Sequence, residues 1–159
     1  MPGLCQVEET NVMAGDGRRF AVAKRLTFAV KSNGATLVTE LLQHRAYRDT
    51  FLTPDSGKQD SVDIHGPFAL SEIQLEDFEA IDARLAREAI DAFWADDGRG
   101  FPTPDATEGI QKLIRGLDLH HSRMLRLGKT AGRGVGFQEF VVIDPSDHVV
   151  TLVVLVGDR

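Results

Sequence analysis

The sequence predicts an α+β fold, in which an antiparallel sheet of five to six strands carries helices on one face. Residues 147–156, DHVVTLVVLV, form an almost unbroken aliphatic run, which is typical of a strand buried on both sides. Strand patterns occupy the two ends of the chain and helix patterns its middle, an order that favours segregated elements over alternating βαβ units. With 159 residues, the chain is expected to form a single domain spanning 1–159.

Composition narrows the class of protein. The chain is 42% hydrophobic and 26% charged, as in ordinary globular domains, and its net charge is −6. This acidic balance makes nucleic acid an unlikely partner, because such binding needs concentrated positive charge. No apolar run approaches the ~20 residues of a membrane span. The N-terminus lacks a secretory signal pattern and there is one cysteine, so we expect a cytoplasmic protein that does not contact membranes.

The first third of the chain predicts a β-hairpin. Apolar residues alternate with others from Phe20 to Val30, and Asn33-Gly34 suits a two-residue type I′ turn. That turn would pair the strand with residues 37–41. Residues 4–13 form a further, less regular strand candidate.

Two helices are predicted in the middle of the chain. An apolar stripe at spacings of three and four predicts the longer one, through Leu75, Phe78, Ile81, Leu85, Ala89 and Phe93. Pro104-Asp105 would begin a shorter helix that ends near Gly116.

Strand patterns return after these helices. Residues 117–127 alternate, and Phe137–Ile143 would form a hairpin with His148–Val156 around Asp144-Pro145-Ser146-Asp147. We expect this hairpin to lie at the centre of the sheet. Because two helices cover only one face, the second face needs another layer or a partner, and a two-fold homodimer formed through the sheet is the simplest arrangement.

Three residues are candidates for acid–base catalysis. Asp63 and His65 lie two positions apart in a short extended run, so they share a face and can act as a base and its orienting group, or as two of three metal ligands. The spacing fixes no third ligand, and we assign no metal. His121 is the third catalytic candidate, on the apolar face of its predicted strand.

A glycine-rich connection, Gly128 to Gly136, offers a candidate binding site. It carries Lys129 and Arg133, which on a loop can meet a small anionic ligand. The order of elements resembles that of PAS-like sensory domains and partly that of hot-dog folds, and this resemblance implies a bound small molecule. No cofactor motif is present, so the cofactor stays unknown.

Together these observations favour a non-catalytic domain that binds a partner or ligand and self-associates through its sheet. Two alternatives remain open: a small acid–base enzyme that acts on an anionic small molecule with Asp63, His65, His121, Lys129 and Arg133, and a PAS-like small-molecule sensor.

Overall fold

The structure is a computed structural model that describes residues 4–13, 19–28, 33–48, 63–82, 84–86, 88–89, 92, 123–128, 135–144 and 148–158. In chain order the elements are β1 (Leu4–Met13), β2 (Arg19–Phe28), α1 (Gly34–Gln43), β3 (Ile64–His65), β4 (Phe68–Ala69), β5 (Phe78–Ile81), β6 (Arg123–Leu127), β7 (Val135–Asp144) and β8 (Val149–Asp158). Short 3₁₀ turns span Arg45–Tyr47, Leu70–Glu72 and Leu75–Asp77. Residues 84–86, 88–89 and 92 are also helical.

The main sheet has six strands in the order β1-β2-β8-β7-β6-β5, and every neighbouring pair is antiparallel. Strands β3 and β4 form a separate two-stranded hairpin. This architecture confirms the predicted α+β class. It also places the β7–β8 hairpin at the centre of the sheet, as the aliphatic run in β8 indicated.

Helix α1 covers one face of the main sheet, which we call the α1 face. Three buried helix residues, Leu37, Val38 and Leu41, belong to the same apolar cluster as buried residues of the central strands. The sheet members of that cluster include Val22, Leu26, Val141, Ile143, Val150, Leu152 and Val154. The 3₁₀ turn at Arg45–Tyr47 and the β3–β4 hairpin contribute Ala46, Tyr47 and Phe68 to it.

The predicted pairing of residues 37–41 with β2 is wrong, because these residues lie in α1. Asn33 is the N-cap of the helix, and its side-chain oxygen accepts a hydrogen bond from Thr36 N at 2.8 Å. Asparagine is common at helix N-caps as well as in turns. Leu37 and Val38 are adjacent and both buried, which suits a helix rather than an alternating strand. Strand β2 instead pairs with β1 on one side and with β8 on the other.

The predicted long helix is also wrong over its first part. Leu75–Asp77 is a 3₁₀ turn closed by a capping box with Gln74, and Phe78–Ile81 is strand β5. Strand β5 pairs with β6 from Phe78↔Leu127 to Ile81↔Met124, so sheet hydrogen bonds replace the helical ones. The predicted second helix, from Pro104-Asp105 to about Gly116, lies outside the described residues.

Strand β8 is buried on both of its faces within one chain. Val150, Leu152 and Val154 are each 0% exposed on the α1 face, and the residues between them, Thr151, Val153 and Leu155, are at most 2% exposed on the opposite face. The doubly apolar character read from the sequence is therefore confirmed. A second subunit is not required to shield it, which removes the argument that led to the homodimer.

The β3–β4 hairpin lies over the α1 face, and its first strand, Ile64–His65, is part of the short extended run predicted around Asp63 and His65. Gly66 and Pro67 form its turn, and Gly66 has a φ of 55°, as the first central position of a type II′ turn requires. Ile64 is 41% exposed whereas His65 is fully buried, because successive strand residues point to opposite sides. The hairpin thereby directs His65 into the protein.

Candidate functional site

Three polar side chains meet beneath the β3–β4 hairpin: Tyr47 of the 3₁₀ turn, His65 of β3 and Glu139 of β7. We call them the buried polar cluster. Each is 0% exposed. Glu139 lies on the α1 face because it is in register with Val154 of β8, and Val154 is in register with Val22 of β2.

Hydrogen bonds join the three side chains into one unit. The Tyr47 hydroxyl donates to Glu139 Oε2 at 2.6 Å, and His65 Nε2 contacts Glu139 Oε1. His65 Nδ1 lies 2.5 Å from the Tyr47 carbonyl oxygen. The Tyr47 and His65 rings stack with centroids 3.5 Å apart and planes within 1° of parallel. Both oxygens of Glu139 and both ring nitrogens of His65 therefore have partners inside the protein.

The identities of these partners fix the number of protons in the cluster. A carbonyl oxygen only accepts, so His65 Nδ1 carries a hydrogen. One further proton lies between His65 Nε2 and Glu139 Oε1, since two bare acceptors in contact would repel. Whether that proton is assigned to the imidazole or to the carboxyl, the His65–Glu139 pair is neutral overall.

A fourth buried polar residue, Lys24 of β2, is attached to the same turn. Its exposure is 2%, and its Nζ donates to the Ala46 carbonyl oxygen at 2.9 Å. Two consecutive carbonyl groups of the turn thus contact buried side chains: that of Ala46 contacts Lys24, and that of Tyr47 contacts His65. His44 Nδ1 accepts from Ala46 N at 3.0 Å at the start of the turn. The sheet and the hairpin together hold the turn through polar contacts.

Phe137 of β7 supports the cluster from the side. Its ring meets those of His65 and Phe68 edge-on, with centroids 5.8 Å apart in each case. The hairpin is therefore seated on an aromatic side chain that lies two residues before Glu139 in the same strand.

Burial raises the pKa of the Tyr47 hydroxyl far above its ordinary value, and the charge and hydrogen bond of Glu139 raise it further. A smaller contribution comes from the charge of Asp77. Tyr47 therefore stays protonated, and serves as a hydrogen-bond donor, above the pH at which an exposed phenol ionises.

This shift predicts a loss of stability in alkali. The folded chain keeps the Tyr47 proton, whereas the unfolded chain releases it above about pH 10, so unfolding becomes favoured as the pH rises from that point. We expect the slope of unfolding free energy against pH to include about 1.4 kcal/mol per pH unit from this residue. Urea unfolding of the wild type and Tyr47→Phe at several alkaline pH values measures it.

Tyr47 is the only tyrosine in the chain, so tyrosinate absorbance reports its ionisation directly. The absorbance should rise together with the loss of far-ultraviolet circular dichroism. A phenol that ionises while the secondary structure stays intact would contradict the expected protection.

Of the site residues predicted from the sequence, the structure describes Asp63 and His65, and these two lie in different surroundings. His65 lies in the buried polar cluster, and its carboxylate partner is Glu139. Asp63 is exposed, and its backbone oxygen accepts from Leu70 N at 3.1 Å. His121, Lys129 and Arg133 lie outside the described residues, so their catalytic and binding roles stay predictions.

The sequence analysis did not identify three of the buried polar residues, Tyr47, Glu139 and Lys24, as site residues. A signal for two of them was present, because Glu139 stands between Phe137 and Val141, and Lys24 between Val22 and Leu26, at positions where the strand faces the core. Within the part of the chain that the structure describes, no three His, Cys, Asp or Glu residues are grouped as metal ligands. None of the described helices is long and apolar enough to cross a membrane.

Comparisons with known proteins add little to this description. No protein-family model matches the sequence, and no curated protein matches it. Among solved structures, the crystal structure of citrus MAF1 is similar over 90% of this chain and 92% of that chain, with a TM-score of 0.42 and 11% sequence identity. A similarity of this extent carries no inference about function.

Proposed function

We propose that this chain is a non-catalytic binding domain. The observation that supports this function is the enclosure of the buried polar cluster, whose three side chains are fully buried and bonded to one another. Tyr47, His65 and Glu139 thus attach the β3–β4 hairpin and the 3₁₀ turn to the sheet.

The geometry of His65 argues against a role as general base in this conformation. A general base must offer a lone pair within hydrogen-bond reach of its substrate. His65 Nδ1 carries a hydrogen directed at the Tyr47 carbonyl, and Nε2 is occupied by Glu139. A substrate would therefore have to displace Glu139 before it could reach the ring.

The competing function is an acid–base enzyme that uses Asp63, His65 and His121, with Lys129 and Arg133 holding an anionic substrate. One observation favours it: His65 has a carboxylate partner, as the orienting group of a catalytic histidine does. This function requires the β3–β4 hairpin to open during catalysis, and so it predicts that His65 is accessible in solution.

Chemical modification distinguishes the two functions. We expect diethyl pyrocarbonate to modify His65 far more slowly than His44 and His148, which are half-buried and act as internal controls. Mass spectrometry of peptides gives the rate for each histidine. If His65 reacts as fast as His148 in the folded protein, the cluster is open in solution and the enzymatic function is favoured.

The proposed binding domain could bind a small molecule, as the resemblance of its element order to PAS-like sensory domains implies. A thermal-shift screen with flavins, haem, acyl-coenzyme A and nucleotides tests it, because a ligand that binds the folded state raises the unfolding temperature. A shift with one of these probes identifies the binding partner as a small molecule. The absence of any shift favours a protein partner.

Self-association through the sheet remains part of the proposal, but through an edge of the sheet instead of one of its faces. Since both faces of β8 are buried within one chain, we place the second copy at an edge of the sheet, where β1 is an edge strand of ten residues. Sedimentation at increasing concentration tests this. A mass near 35 kDa, twice 17.5 kDa, supports a dimer, and a mass of 17.5 kDa throughout excludes it.

A further inference from the structure

We propose that the contact between His65 and Glu139 is a proton-controlled latch. With one proton in the contact, it holds the β3–β4 hairpin and the Arg45–Tyr47 turn on the sheet. With a second proton the contact breaks, and these two segments separate from the sheet while the sheet itself stays folded.

The bonding capacities of the two groups account for this behaviour. One proton between Nε2 and Oε1 gives a donor facing an acceptor. A second proton gives an N–H facing an O–H, and the other positions are already occupied, because Nδ1 binds the Tyr47 carbonyl and Oε2 accepts from Tyr47 Oη. On Oε2 the proton could be accepted by the Tyr47 hydroxyl, but that hydroxyl would then lose its own acceptor. In either position the fully buried pair gains a net positive charge, which favours opening of the cluster.

The segments held by the cluster have few bonds of their own. Strands β3 and β4 are two residues each, and a two-stranded hairpin is only marginally stable alone. The cluster joins positions far apart in sequence, with separations of 74 residues between His65 and Glu139 and 92 between Tyr47 and Glu139. Opening the contact therefore releases the hairpin and the turn together, as a local unit.

Charged groups on the neighbouring elements also contact these segments, and release of the turn includes the loss of its bond to Lys24. From β2, the Lys24 ammonium group binds the Ala46 carbonyl. From the turn at Leu75–Asp77, the Asp77 carboxylate acts on Tyr47 and accepts from Gln74 N at 2.8 Å. These two groups are opposite in charge. Helix α1 adds Leu37, Val38, Leu41 and the partly buried Leu42 to the apolar cluster, and Glu40 of the same helix has one buried carboxylate oxygen.

Hydrogen exchange at individual backbone amides tests the latch. Leu70 N–H, bonded to Asp63 O, reports on the hairpin, and Arg48 N–H, bonded to Arg45 O, reports on the turn. After correction for intrinsic exchange, we expect the protection of both amides to fall about tenfold per pH unit on acidification, because one proton is taken up. Amides of β8 are the reference, and they should keep their protection at each pH at which Leu70 and Arg48 lose theirs.

Two variants sharpen the test. In Glu139→Gln, the amide group donates to His65 Nε2 and its oxygen accepts from Tyr47, so every bond is kept with a neutral imidazole. With no carboxylate in the pair, opening then requires protonation of the imidazole alone, so we expect the midpoint pH to differ from that of the wild type. Asp63→Asn, which removes an exposed carboxylate close in sequence, is the control and should leave the profile unchanged.

Two results would overturn the latch. One is loss of protection at Leu70 and Arg48 at the same pH as in β8, because the segments would then open only with the whole fold. The other is a shifted midpoint in Asp63→Asn, which would assign the proton to a different carboxylate. Should Glu139→Gln fail to fold, the wild type and Asp63→Asn still decide between these outcomes.

Discussion

Replacing Glu139 with alanine should lower the free energy of unfolding by about 3–5 kcal/mol, because two buried polar groups lose a hydrogen-bond partner and a cavity is left in place of the side chain. The substitution leaves the Tyr47 hydroxyl and His65 Nε2 without their acceptor and proton-sharing partner in a region with 0% exposure. A domain of this size is stabilised by only about 5–15 kcal/mol, so the effect is a large fraction of the total.

The matched control is Glu139→Gln, which keeps the shape and the hydrogen bonds of the side chain. We expect it to cost about 1 kcal/mol or less at neutral pH, since each donor and acceptor retains a partner. Urea unfolding followed by circular dichroism gives both values. If alanine and glutamine cost the same, the bonds of the cluster contribute nothing measurable to stability.

Gly66→Ala should be the second strongly destabilising substitution, at about 2–5 kcal/mol. A Cβ atom at this position would lie 2.4 Å from Phe137 Cε2, and the φ of 55° disfavours any L side chain. Phe137 cannot move freely, because its ring also contacts His65 and Phe68 edge-on. We expect the strain to reach the buried polar cluster through Phe137.

Gly34→Ala is the control for this experiment and should have the opposite sign. Gly34 is the first residue of α1, and a Cβ there would meet Arg123 Nη1 at 3.5 Å and Ile143 Cδ1 at 3.8 Å, which are ordinary contacts. Alanine should stabilise the helix by up to about 1 kcal/mol. Thermal unfolding of the two variants side by side measures the difference, and equal stabilities would contradict it.

The central part of the fold could be predicted because its strands follow simple rules. Residues of β8 are apolar on both faces, and the structure buries both. The β7–β8 hairpin was predicted because two strand patterns lie close together in sequence. The predicted turn began one residue too early, since Asp144 is the last residue of β7 and pairs with Val149. The order of strand and helix patterns then gives the α+β class.

Two elements could not be predicted because the same residues suit two structures. Asn33-Gly34 fits both a hairpin turn and the start of a helix, and tertiary packing of Leu37, Val38 and Leu41 decides for the helix. The spacing of three from Leu75 to Phe78 and Ile81 fits a helix, yet a 3₁₀ turn followed by an edge strand satisfies it as well. Pairing with β6 is a non-local effect that a pattern of residues does not contain.

Of the buried polar cluster, the sequence predicted one residue, His65, and none of its partners. His65 was identified from its short extended run, but its true partners are 18 residues away at Tyr47 and 74 residues away at Glu139. Charged residues at core-facing strand positions, Glu139 and Lys24, indicate buried polar contacts in advance. Which groups they meet depends on how distant segments pack, and this is visible only in the folded chain.

The placement of β8 beside β2 has a consequence for how the protein is made. Residues 19–28 pair with residues 149–157, so the N-terminal strand has no partner on that side until synthesis reaches the far end of this sequence. The nascent chain must carry an unpaired strand edge through translation of more than 100 intervening residues. Formation of the central sheet therefore has to wait until residues 149–157 have been synthesised, and the exposed edge of β2 is open to incorrect strand pairing during that time.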